Sequence, residues 1–153
     1  MFGFREALDS TVTVILPEHA RVQVVSLPAL SILKFSAWEK RRLTEPGKDA
    51  YDLLLITKNY ASAGNDNRLY DANPFVAGSP SDYEAAGAWL LGKDMAKLLD
   101  AKGRERLARI IAKEADKMGK LHLAGDMMSD DPERALVLLA ALEEGFVGEK
   151  DEQ

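Results

Sequence analysis

The chain has 153 residues, a net charge of −5 and no cysteine, which fits one domain able to bury a core and excludes disulfides and thiolate metal sites, in keeping with a reducing cytoplasm. The acidic balance argues against a protein that wraps broadly around nucleic acid, and His19 and His122 share no metal-ligand spacing. No apolar run approaches the roughly 20 residues of a membrane span, and the N-terminus lacks the charged-then-apolar order of a secretory signal, so the expected setting is cytoplasmic, away from the membrane.

Taken along the chain, Glu6 and Asp9 stand in a short amphipathic segment. Thr11 to Leu16 and Arg21 to Val25 are rich in Val, Ile and Thr and alternate in character around Pro17-Glu18-His19-Ala20. This predicts a hairpin or a linked strand pair, the one clear β signal. Ser26 suits an N-cap, with Pro28 tolerated in the first turn, for a helix to about Leu43 that Thr44-Glu45-Pro46-Gly47 stops. A second helix is expected from near Lys48 to about Ala61, with Asp49 in its first turn, where the helix dipole favours an anion. Gly64 through Gly78 reads as loop with one short helix around Arg68 to Tyr70. Apolar residues at three and four spacing then predict helices over Tyr83 to Leu91, Gly92 to Leu99, Lys102 to Met118 and Pro132 to Phe146. Met127-Met128, after Gly125-Asp126, reads as a loop plug or a packing contact, and 148–153 as a charged, frayed tail. The expected fold class is α+β: a short β-hairpin or partial sheet at the N-terminus, followed by a mainly helical domain.

Two short strands rarely make an independent sheet. The edge at Thr11 to Leu16 is therefore expected to pair, either with a further N-terminal segment or with a second copy in a homodimer.

Lys34 lies inside the apolar run Leu30-Ser31-Ile32-Leu33-Lys34-Phe35-Ser36-Ala37-Trp38. An ammonium there is costly to desolvate unless it meets an anion or reaches water. On a helix Lys34, Trp38 and Arg41 fall at i, i+4 and i+7 and share a face, while Asp49 and Asp52, three apart, can project toward Lys34 or toward a cation. Two readings follow. In one, Lys34, assisted by Arg41 or Arg42, meets the phosphates of a nucleotide, with Trp38 and Tyr51 available to stack on a base. In the other, Lys34 forms an ion pair with Asp49 or Asp52 that pins two helices, Asp52 pairs with Lys48 or Arg41, and the aromatics are core. The basic run Arg104, Arg106, Arg109, Lys113, Lys117 and Lys120 is interleaved with Glu105, Glu114 and Asp116. It reads as a solvated face laced with ion pairs, with RNA binding as a third functional option.

Gly3-Phe4-Arg5-Glu6-Ala7-Leu8, Ser26-Leu27-Pro28-Ala29-Leu30 with Lys34 and Trp38, Lys48-Asp49-Ala50-Tyr51-Asp52-Leu53-Leu54 and Asn59-Tyr60 together resemble the second half of a bacterial predicted nucleotidyltransferase, of the group related to AbiEii-type toxins of toxin-antitoxin systems. The likeness covers the first sixty or so residues and continues more weakly through Asp82-Tyr83-Glu84 and Leu90-Leu91-Gly92. It implies a truncated nucleotidyltransferase-like fold: a single domain over 1–153 with a partial core at 1–62 and a helical part at 63–147. It also implies transfer of a nucleoside monophosphate from an NTP with Mg²⁺, and a nucleotide site drawn from Lys34, Trp38, Arg41, Lys48, Asp49 and Asp52. In that family the metal-holding Gly-rich turn and Asp-x-Asp pair precede the part resembled, and this sequence contains no Asp-x-Asp. The resemblance therefore assigns no catalytic or metal residue and implies a chain inactive alone, as a piece of an enzyme or as a non-catalytic interaction or regulatory module.

Overall fold

β-branched residues on alternating positions build the hairpin first. In the computed structural model, which describes residues 4–71, 73–77 and 82–148, β1 (Thr11–Ile15) pairs antiparallel with β2 (Arg21–Val25), with Thr11 opposite Val25, Thr13 opposite Gln23 and Ile15 opposite Arg21. A 3-10 turn over Pro17–His19 joins them, and Glu18 and His19 both take positive φ, at 72° and 64°. A short helix, α1 (Phe4–Asp9), precedes the hairpin. Every residue of β1 and all but the last of β2 are exposed, so the chain's own helices leave the strand pair uncovered.

Ser26 ends β2's outward run and caps the next element. Its hydroxyl accepts from the Ala29 N–H at 3.4 Å, and Pro28 sits in the first turn of α2 (Leu27–Arg41). The second helix, α3 (Pro46–Asn59), starts two residues before Lys48, because Pro46 is itself a favoured first-turn residue. Among the described residues there follow a 3-10 turn at Asp66–Arg68, α4 (Pro74–Ala77), α5 (Tyr83–Leu98), α6 (Ala101–Ala115), α7 (His122–Met127) and α8 (Pro132–Gly148). The architecture is α+β and mainly helical, as expected. The core is mainly helical: Ile32, Phe35 and Trp38 of α2, Leu53 of α3, Leu91 and Met95 of α5, Leu107 and Ile111 of α6, and Leu138, Leu142 and Phe146 of α8 are all fully or almost fully buried, and Ala61 and Leu69 join them from the connection after α3.

Four expectations need correction. Gly92 does not divide two helices, since α5 runs unbroken through it. Its missing Cβ instead makes room for α8: a Cβ at Gly92 would collide with the Leu142 carbonyl, and one at Gly145 with the Trp89 carbonyl. The Met127 region is helix α7 rather than loop, although Met127 and Met128 do pack on the core. The stretch before Gly78, read as loop, contains α4. Helix α6 stops at Ala115, where Asp116 turns extended, so Lys117 and Lys120 lie off the helix and Met118 is 92% exposed rather than on its apolar face. The charged tail falls almost wholly outside the described residues; Gly148, its first residue, ends α8.

Candidate functional site

Lys34 and Arg41 project from one side of α2, two turns apart, and the first turns of α3 carry Asp49 and Asp52 against them. The Lys34 Nζ lies 2.6 Å from Asp52 Oδ2 and 3.3 Å from Asp49 Oδ1. The Arg41 Nη2 donates to both Asp49 oxygens, at 2.9 and 2.8 Å. Asp49 is wholly buried, whereas the side chains of Lys34, Arg41 and Asp52 keep 21%, 44% and 40% of their surface. The buried carboxylate thus bridges two cations that both reach solvent. Such an acid needs at least one cation in contact, since its desolvation is otherwise uncompensated.

Hydrogen bonding to Asp52 holds the Lys34 ammonium above its ordinary pKa, against the opposing effect of burial, and the bond to Asp49 adds to it. Lys34 is therefore charged at neutral pH and offers a positive group beside the α2–α3 seam.

The other expected site residues are placed differently. Trp38 sits about 40° further round the helix from Lys34, is 2% exposed, and donates from Nε1 to Asp126 Oδ2 on α7 at 2.9 Å. The Arg42 guanidinium covers its ring at 5.7 Å. The ring thus belongs to the core and presents no face on which a base could stack in this arrangement. Tyr51, 56% exposed, keeps an open ring. Lys48 is exposed at the start of α3, and Asp52 pairs with Lys34 rather than with Lys48 or Arg41.

Mg²⁺ does not fit these residues. Among the described residues no three of His, Cys, Asp and Glu converge as a ligand set. Both Asp49 oxygens are held by Arg41, one of them by Lys34 as well, and Asp52 Oδ2 is held by Lys34, and two metals bridging a triphosphate need about three carboxylates together. The groups of this cluster that an anion could meet are its two partly exposed cations, Lys34 and Arg41. Lys34 and Arg41 would exchange part of their contact with Asp52 and Asp49 for phosphate oxygens.

A second polar cluster escaped the sequence reading. Between the root of the hairpin and the helices a cavity of about 480 Å³ opens, lined in part by Ser10, Ser26, Tyr60, Arg68, Asp94 and Lys97. None of Lys34, Arg41, Asp49 and Asp52 lines it. Arg68 grips Asp94 in a two-pronged contact at 2.8 and 2.7 Å, and the Tyr60 hydroxyl donates to the same carboxylate at 2.6 Å. Burial, reinforced by that bond to Asp94, pushes the Tyr60 phenol well above its ordinary pKa. A doubly held carboxylate and a neutral phenol make a rigid wall rather than a reactive pair. The signal that could have found it is weak, since residues 60, 68 and 94 lie on three separate segments.

Comparisons of this chain with protein families, with curated proteins and with solved structures each found no match.

Proposed function

We propose that this chain is a nucleotidyltransferase-like protein whose α2–α3 unit faces the phosphates of a nucleotide, with Lys34 and Arg41 as the phosphate-binding cations and Asp49 and Asp52 as the groups that position them. The reading rests on the resemblance carried by Lys34 and the Lys48-Asp49-Ala50-Tyr51-Asp52 run. The observation that supports it best is the geometry of that run: one buried carboxylate holds two cations whose outer sides remain open to solvent. Cations fixed in advance lose less side-chain freedom on meeting an anion. The family chemistry would be attack of an acceptor on the α-phosphorus of an NTP with loss of pyrophosphate. The residues here contribute charge stabilisation to the triphosphate and no metal site, so the chain alone binds without turning over.

The rival, a non-catalytic helical interaction or regulatory module, draws support from the same cluster, because Asp49 and Asp52 already satisfy both cations. Titration calorimetry with each NTP and Mg²⁺ separates the two. The expected outcome is NTP binding that weakens at least about tenfold in Lys34→Gln and in Arg41→Gln while helical circular dichroism is retained. Absence of NTP binding, or binding indifferent to both substitutions, leaves the module reading. Incubation with labelled NTPs, Mg²⁺ and bulk RNA or protein is expected to give no transfer. Turnover that Lys34→Ala abolishes would place the metal site among residues dismissed above.

A further inference from the structure

The outer edge of β1 carries backbone groups that β2 does not use. Leu16 N–H donates to Ala20 O at 2.8 Å, and Ser26 N–H donates to Ser10 O at 2.9 Å. The residues of this strand that exchange bonds with β2 are thus the even ones. Bonded and non-bonded residues alternate along an antiparallel pair, so Thr11, Thr13 and Ile15 turn their N–H and C=O groups outward. The same alternation divides the side chains. Val12 and Val14 face Val24 and Val22 on one side of the hairpin, all four between 37% and 48% exposed. On the other side Thr11, Gln23 and Thr13 are joined by side-chain hydrogen bonds at 3.0 and 2.9 Å. β1 has no charge and no proline, and its register with β2 runs without a bulge. It therefore lacks the usual devices that keep a strand edge from pairing.

We propose that this edge pairs antiparallel with the same edge of a second copy of the chain, in a register centred on Thr13, to form a four-stranded sheet across a two-fold axis. The sequence Thr-Val-Thr-Val-Ile is self-complementary in that register. Thr13 faces Thr13 of the partner subunit, and Thr11 and Ile15 face Ile15 and Thr11 of the partner subunit. Every outward residue then meets an outward residue, and each facing pair exchanges two bonds. A slip by one residue would set outward groups against inward ones and turn the valines to the opposite face. In the centred register no charges oppose each other, and Val12, Val14, Val22 and Val24 of both copies merge into one apolar surface. A two-fold contact of this kind uses the same patch twice, as a closed dimer requires. Five residues a side make a small interface, so the affinity belongs in the micromolar range. The proposal is independent of the nucleotide reading.

The absence of cysteine makes single-cysteine variants clean reporters of register. Light scattering is expected to find a dimer at micromolar concentration and a monomer for Thr13→Pro, a substitution that deletes an N–H the hairpin itself does not use and is tolerated at such an edge. Helical circular dichroism of that variant should match the parent. Mild oxidation should cross-link Thr13→Cys with itself and Thr11→Cys with Ile15→Cys, but not Thr11→Cys with itself. A monomer over the whole range overturns the proposal and leaves the edge to a strand of another protein. A dimer that survives Thr13→Pro, or Thr11→Cys self-linking as readily as Thr13→Cys, overturns it as well. Should Thr13→Pro disturb the fold, the cross-linking pattern alone decides.

Discussion

Lys34, Asp49 and Ser36 show three different fates for a polar group inside a helical seam. The cost of burying an ammonium made the Lys34 partners legible: Asp49 and Asp52, at the start of the next helix, were the candidate carboxylates, and both lie within 3.3 Å of its Nζ. Asp49 itself carries more of the load than the sequence indicated, because it also holds Arg41. Asp49→Ala is expected to cost about 1–2 kcal/mol. That is less than the usual loss on breaking a buried pair, since both stranded cations can turn to water. Urea denaturation measures it, and an unchanged midpoint would mean that water already satisfies Lys34 and Arg41. Ser36 is the opposite case. It is 1% exposed, and its Oγ is the one buried side-chain N or O without a hydrogen-bond partner among the described residues. Ser36→Ala removes an uncompensated hydroxyl and improves helix propensity, so it should stabilise by about 1 kcal/mol. A fall in the urea midpoint would reveal a partner for that hydroxyl. Trp38 could not be placed from its neighbours, because the carboxylate that receives its Nε1–H belongs to Asp126, 88 residues away.

Helix α7 and the α5–α8 crossing explain why some elements read clearly and others did not. α2 announces itself through Ser26, whose side chain caps its own helix, and Asp82 and Asp100 cap α5 and α6 in the same way, although of the three only Ser26 was expected as a cap from the sequence. α7 has no such signal: its N-cap is Leu121 in the left-handed region at φ 53°, with no capping side chain. The missing acceptor comes from α6, where the buried Glu114 Oε2 receives the Leu123 N–H at 3.0 Å. A helix capped from another element cannot be seen in its own residues. Gly92 was misread for a related reason, whereas Gly145 falls inside the helix expected over Pro132 to Phe146. A glycine inside a helical pattern looks like a break, and only the opposing backbone shows that it is a contact point. Gly145→Ala would drive a Cβ into the Trp89 carbonyl, which is backbone and cannot swing aside. The expected loss is about 3 kcal/mol or more, beyond ordinary core overpacking, read as a lower thermal midpoint. A loss under about 1 kcal/mol would mean that α5 and α8 can slide apart freely.

Across the whole molecule, one polar network ties three helices. Arg134 at the start of α8 donates to Asp82 at 2.6 and 3.0 Å and to Glu84 at 2.7 Å, while Lys58 of α3 approaches Glu84 at 3.8 Å. The Arg134 contact, helped by the Ala85 N–H and opposed by burial, holds the Asp82 carboxyl below its ordinary pKa. A carboxyl depressed in the folded state stabilises above the unfolded value, near pH 4, and loses that contribution as pH falls through the folded value. Asp82→Asn should therefore be less stable than the parent at pH 7, and the gap in thermal midpoint should close as the pH drops below about 4. A gap that stays constant down to pH 2 would mean that the charge on Asp82 does not carry the effect. At this scale the sequence by itself determined the period of each long segment: alternation at Thr11 to Val25, and three-and-four spacing in α2, α3, α5, α6 and α8. These follow from local sterics and from the residues' own polarity, so they need no partner to be read. The tertiary structure alone decided which faces meet. It turned Trp38 into the core, capped α7 from Glu114, closed α5 onto α8 at two glycines and left the hairpin exposed on both faces. Those outcomes depend on groups brought together from distant parts of the chain, and the free energy of such a contact is written in neither segment alone.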